Sequence, residues 1–162
     1  MGKRDKALTL RLARNDEADG AFLYSLFAAT KAADIAAMPV DEATKALLLR
    51  TQYRAMTETY RHDYPNARWE IVEVEKRAVG KLVTDVGAEC VTFVDIALLP
   101  EAQGRGLATR LMTVALDEPQ RLNRPARAKV LVTNRASLRL CERIGFRRLG
   151  EDAAFVQLEW RR

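Results

Sequence analysis

The sequence is short of the residues that build several common kinds of functional site. It has one histidine, His62, and two cysteines, Cys90 and Cys141. A histidine-rich metal centre is therefore excluded, and neither cysteine stands at metal-ligand spacing. At most one disulfide is available, and both cysteines read as free thiols of a reducing compartment. His62, in TYRHDYP, reads as a helix-end or surface histidine. Eight glycines and five prolines in 162 residues are too few for a collagen-like or low-complexity chain. No uncharged apolar run approaches the roughly 20 residues that span a bilayer. The opening MGKRDKALTL lacks the apolar block of a secretory signal, and Lys6 stands where an N-myristoylation site has Ser or Thr. A cytoplasmic protein without a membrane partner is expected.

What is present is core material: 48% of the residues are hydrophobic and 30% charged, with a formal net charge of +5. Such a length and composition suit one globular domain. The positive excess permits an anionic partner without selecting one.

Hydrophobic periodicity lays out the elements. Leu8, Leu10 and Leu12 alternate with polar residues, so a half-buried strand is predicted over residues 8–14. From a cap at Asn15 or Asp16, Ala18, Ala21, Phe22, Ser25, Leu26 and Ala29 recur at helical spacing. After Pro39 a second cap, Asp41, precedes the stripe Leu49, Tyr53, Met56 and Tyr60, and that helix ends before Pro65. WEIVEVE (Trp69–Glu75) and AVGKLVTDV (Ala78–Val86) predict an antiparallel hairpin turning at Lys76 and Arg77. CVTFVDIALLP (Cys90–Pro100) is a nearly continuous apolar run, as in a central strand covered on both faces. A helix follows over about Gly104–Leu116, stopping before Pro119. Then come a strand at Ala126–Thr133, a helix at Ala136–Ile144 closed by Gly145, and strands at Phe146–Gly150 and Ala153–Trp160. The order β-α-α-β-β-β-α-β-α-β-β describes one α/β domain.

The stretch ALLPEAQGRGLATRLM is the most informative for chemistry. A buried strand passes through a short turn into a helix that opens with QGRGLA, Gln103–Ala108. First-turn amides of a helix have no intrahelical partner and the macrodipole adds partial positive charge, so small residues there admit a phosphate. Arg105 and Arg110 would add to the attraction. A tight strand-to-helix turn with no ligand is the plainer reading of two glycines. The dinucleotide fingerprint and the P-loop are both disfavoured, because the third glycine, the later acidic residue and the Lys-Ser/Thr pair are missing.

QGRGLA resembles the (Gln/Arg)-x-x-Gly-x-(Gly/Ala) signature of the GCN5-related N-acetyltransferases (GNAT family), in which that loop holds the pyrophosphate of acetyl-CoA. A second block, NRASLRLCERIGF (Asn134–Phe146), is similar to the family's segment that follows the fifth strand, and DIALLPE (Asp95–Glu101) resembles the strand flanking the signature. The resemblance implies the GNAT acyl-CoA N-acyltransferase fold, a mixed, mostly antiparallel sheet of about six or seven strands with helices on both faces. It covers essentially the whole chain as a single domain, residues 1–162. It further implies acetyl-CoA as cosubstrate, no metal, and direct attack by a primary amine in a ternary complex. Gln103, Gly104, Arg105, Gly106, Leu107, Ala108 and Thr109 would contact the pyrophosphate. Leu98 and Leu99 would offer backbone groups to the pantetheine arm and thioester, which in this family lie between splayed fourth and fifth strands. Asn134 matches an asparagine that bonds the arm; a helix N-cap is its other reading.

Two catalytic positions depart from the family pattern. Many members carry a tyrosine just before Glu-Arg-x-Gly-Phe to protonate the leaving thiolate, and here Cys141 stands there. It is either the acid or a small buried filler. Some protein-acetylating members have a glutamate early in the fourth strand, where this chain has Thr92. The nearest carboxylate, Asp95, is flanked by Val94 and Ile96, which suits a general base, although a structural pairing with a group such as Arg110 is an equal reading.

The acceptor is expected between Ala32 and Tyr64, with the hairpin and last strands. Phe27, Tyr53, Tyr60, Tyr64 and Trp69 are its aromatic candidates, and Asp34, Asp41 and Glu42 its acidic ones. A small-molecule amine is expected because no long peptide-binding insertion is evident. A protein N-terminus or lysine, or a non-catalytic acyl-CoA-binding or sensing module, are the alternatives. Nucleic-acid binding through Arg121, Arg124, Arg127, Lys129, Arg147 and Arg148 would rest on charge without interleaved aromatics, so no nucleic-acid partner is expected. A homodimer is compatible with the sequence.

Overall fold

The computed structural model describes residues 7–162; the reading that the first six residues carry no acylation signal lies outside them. Seven strands form one sheet in the order β1-β2-β3-β4-β5-β7-β6. They are β1 (Leu8–Leu12), β2 (Arg68–Val74), β3 (Arg77–Val86), β4 (Val91–Leu98), β5 (Ala126–Leu131), β6 (Arg147–Glu151) and β7 (Phe155–Trp160). Helices α1 (Glu17–Ala36) and α2 (Glu42–Asp63) follow β1, α3 (Leu107–Ala115) and α4 (Asp117–Leu122) lie between β4 and β5, and α5 (Arg135–Ile144) precedes β6. The chain forms two compact units. One runs to Leu82 and takes in Ile96–Ala102; the other holds Val83–Asp95 and Gln103–Arg162.

In the first unit the two predicted caps are in place. Asp16 accepts from the Asp19 N–H and Asp41 from the Thr44 N–H, which occupies first-turn amides that the helix itself leaves unbonded. Antiparallel pairing of β1 with β2 runs from Leu8↔Val74 to Leu12↔Glu70. Over this pair Arg11 donates through two nitrogens to Asp19, at 2.7 and 2.8 Å, and through Nε to Glu73 at 2.6 Å. Asp19 is 3% exposed and also accepts the Arg14 N–H at 2.7 Å. The Arg11 guanidinium holds its carboxyl well below the usual carboxylate range.

Because the folded-state pKa of Asp19 lies below the unfolded value near 3.9, the contribution of this cluster is complete above about pH 4 and is lost as the pH falls further. Asp19→Asn is expected to cost about 2–3 kcal/mol near neutral pH, since it leaves Arg11 without its bidentate partner. Urea unfolding checks this: the gap between wild type and variant should narrow as the pH drops below 4, and a gap independent of pH would contradict it.

The β2–β3 hairpin turns on Glu75 and Lys76, at φ 51° and 64°, one residue earlier than expected from the sequence. Both central residues lie in the left-handed region, as the twist of a tight hairpin requires. Between β3 and β4 the ladder carries a bulge. The Gly87 N–H bonds Cys90 O at one end and the Leu99 N–H bonds Val79 O at the other. From Gly87 back to Val79 is eight steps, from Cys90 to Leu99 nine, so β4 holds one residue more than its partner.

In the second unit, β4 and β5 run parallel over Val91↔Ala126 to Phe93↔Ala128, and β5 pairs antiparallel with β7 from Ala126↔Trp160 to Leu131↔Phe155. β6 completes the edge against β7 with an irregularity between Arg148 and Gly150. Leu107, Leu111, Met112, Leu138, Phe146, Val156 and Leu158 are buried, and the rings of Phe93 and Phe146 meet at 6.2 Å. Two sequence expectations change here. The helix expected from Gly104 begins at Leu107, because Gly104 and Gly106 have φ of 73° and 75°, outside helical space. Pro119, expected to end helical structure, sits instead in the first turn of α4, where its missing N–H leaves no bond unmade.

Candidate functional site

The turn from β4 into α3 is built from local backbone demands. After a single 3₁₀ turn at Pro100–Ala102, the chain reaches Gly104 and Gly106 in left-handed geometry, and Gly106 is the N-cap of α3. A β-carbon at either glycine would meet nothing within 4 Å. Their necessity is thus conformational, and the space over the turn is open. The first intrahelical bond of α3 is Arg110 N–H to Gly106 O, so the amides of Leu107, Ala108 and Thr109 precede it. No side chain caps this end. Gln103, Gly104, Arg105, Gly106 and Thr109 are exposed, whereas Leu107 is buried and anchors the turn. The uncapped first-turn amides, the left-handed glycines and the helix dipole are together suited to an anion.

The remaining predicted positions can be placed individually. Leu98 is buried at the end of β4. The Leu99 N–H donates to Val79 O at 2.8 Å and Leu99 O accepts from the Ala102 N–H at 2.9 Å. Leu99 therefore retains only a second carbonyl lone pair. Asp95 is half-buried in β4, beyond the last β4–β5 pair at Phe93↔Ala128. Thr92 is the second residue of β4 and lies opposite Arg127. Asn134 caps α5, its Oδ1 accepting the Ser137 N–H at 3.1 Å, which leaves the NH₂ end of its amide outside the cap. Gly145, at φ 105°, closes the same helix.

Cys141 is 5% exposed on the inner face of α5, in the company of Leu138. Burial pushes its thiol up to about 11, with the neighbouring Glu142 charge adding to the effect. A free thiol has a pKa near 8.5, so passing the Cys141 proton to a departing thiolate runs uphill. Cys90 is the other free cysteine, and the two thiols are unbridged as expected. Among the described residues no group of three or more His, Cys, Asp or Glu side chains is placed to hold a metal ion, and no helix is long and apolar enough to cross a membrane.

Several groups expected to meet the acceptor have partners within the fold. Tyr53 packs against Tyr24 at 5.2 Å and Phe27 at 5.3 Å, joining α1 to α2, and Asp41 is a cap. Tyr60 and Trp69 meet at 6.2 Å, and Lys81 Nζ lies 5.8 Å from the Trp69 ring. Of the arginines, Arg127 pairs with Glu159, Arg148 with Glu142 and Arg121 with Glu118, while Arg124 donates to Gly87 O. His62 is exposed in the last turn of α2 beside Asp63.

A mixed seven-stranded sheet, with a glycine turn leading from β4 into an uncapped helix and a parallel β4–β5 pair after it, defines an α/β protein. The chain belongs to the acetyltransferase (GNAT) family, whose model matches residues 33–146. Among solved structures it is similar to PaiA N-acetyltransferase from Thermoplasma acidophilum in complex with coenzyme A, at 15% identity and TM-score 0.69, covering 96% of this chain and 99% of that one. An acetyltransferase from Thermus thermophilus matches at 22% identity and TM-score 0.69, covering 97% and 99%. The N-acetyltransferase PseH from Campylobacter jejuni in complex with acetyl coenzyme A matches at 16% and 0.63, covering 96% and 99%. At these identities the likeness is one of fold. No curated protein matches by sequence.

Proposed function

We propose that the chain is an acetyl-CoA-dependent N-acetyltransferase, acting as one catalytic domain, that moves an acetyl group to a primary amine by direct attack in a ternary complex. The observation that carries this reading is the Gln103–Thr109 turn, with left-handed Gly104 and Gly106 ahead of the α3 amides. The pyrophosphate of acetyl-CoA is assigned to those amides and to the Thr109 hydroxyl, with Gln103 and Arg105 at the rim. The family membership and the CoA-bound relatives support the same ligand. The Leu98 backbone receives the thioester end of the arm, where an N–H toward the carbonyl oxygen stabilises the charge that develops on attack. Asn134, through its NH₂ group, is assigned to the arm. Asp95 is assigned as the base that takes the proton from the attacking ammonium.

The acceptor is assigned to a small-molecule amine. Incubating the protein with acetyl-CoA and a library of primary amines, and measuring free CoA thiol, tests the reading. Release that depends on both components is expected. Tight CoA binding with no release from any amine, peptide N-terminus or lysine would instead identify a binding module.

Cys141 is assigned to packing. Cys141→Ala is expected to keep kcat within about twofold and to cost roughly 1 kcal/mol of stability for the lost sulfur contacts. A tenfold fall in kcat at unchanged KM would restore the thiol as the proton donor.

A further inference from the structure

Gly80 lies inside β3, where a glycine has no side chain to pack and marks a bulge or a close backbone approach. It is buried, and its neighbours are specific. A β-carbon on Gly80 would collide with Ala97 O and stand 2.6 Å from Leu98 Cδ2 and 3.3 Å from Leu98 Cα. The first of these is backbone and cannot rotate away. It belongs to the stretch of β4 that ends one residue out of step with β3, just before Leu99 bonds Val79. The φ of Gly80 is not in the left-handed region, so the requirement for glycine here is space alone.

We propose that Gly80 is a positioning residue for acetyl transfer, its missing side chain allowing the Ala97–Leu98 peptide of β4 to lie against β3 and so fixing the backbone that receives the thioester. This rests on the functional reading above. Ala97 O and the Leu98 N–H are the two ends of one planar peptide group, so a side chain at position 80 that displaces the oxygen displaces the N–H with it. An electrostatic donor works only within a narrow range of distance to the developing oxyanion, and a shift of about 1 Å costs on the order of a hundredfold in rate. The pyrophosphate turn belongs to a different part of the chain, so anchoring of the nucleotide should survive the change.

The test uses full-length protein with CoA and with acetyl-CoA carrying ¹³C at the acetyl carbonyl. Wild type is expected to move the bound carbonyl resonance downfield, as a hydrogen bond to its oxygen does. Gly80→Ala is expected to abolish most of that shift and to slow thiol release about tenfold to a hundredfold, with the Kd for CoA within about twofold and an unchanged circular dichroism spectrum. Gly80→Ala/Leu98→Ala removes the side-chain contact but not the contact with Ala97 O, and should stay defective. Recovery in the double variant, or an unchanged carbonyl shift and rate in Gly80→Ala, overturns the positioning role alone. If Gly80→Ala does not fold, the wild-type spectrum decides, because a bound carbonyl with no downfield shift also overturns it. Wild type that binds neither CoA nor acetyl-CoA overturns the functional reading beneath it.

Discussion

Replacing Gly106 by glutamate is expected to weaken acetyl-CoA binding at least about a hundredfold in a protein that still folds. Two separable effects combine. The left-handed φ of 75° costs any L side chain roughly 1–2 kcal/mol, which disturbs the path of the turn. The carboxylate then stands beside the α3 amides, where it competes with the pyrophosphate for the same donors and repels its charge. Gly106→Ala isolates the first effect, since it adds strain without charge, and its affinity should fall between wild type and the glutamate variant. Calorimetric titration with CoA reads all three. A folded glutamate variant with wild-type affinity would remove the pyrophosphate from this turn.

Asp95→Asn is expected to reduce kcat/KM by about 10² to 10⁴, the usual contribution of a positioned general base. An ammonium has no lone pair, so the reaction cannot begin until a proton leaves the acceptor. The variant's Kd for CoA should not change, because nucleotide binding is assigned to Gln103–Thr109. Equal activity in the variant would return Asp95 to a structural role.

How much of this was legible in the sequence depends on the range of the interaction. The caps at Asp16 and Asp41 were readable because an N-cap is a contact between residues three apart. The Gln103–Ala108 turn was readable for the same reason, since glycine spacing and the helix that follows are local. Its starting point was not, because the left-handed φ of Gly104 and Gly106 delays the helix to Leu107. α4 was missed by treating Pro119 as a stop, although a proline in a first turn breaks no hydrogen bond. The contact between Phe27 and Tyr53 was not readable, because composition does not say which ring faces which. Gly80 was invisible as a functional position. An isolated glycine in a strand signals a close approach, but what approaches it is the Ala97–Leu98 backbone of β4, a property of two strands whose register no local pattern specifies.

The most direct measurement is a titration of ¹⁵N-labelled wild-type protein with CoA, following each backbone amide. The resonances of Gly104 through Thr109 are predicted to shift together and to saturate with the same affinity as the calorimetric isotherm. Binding of CoA that leaves these amides unmoved, or no binding at all, would contradict the account.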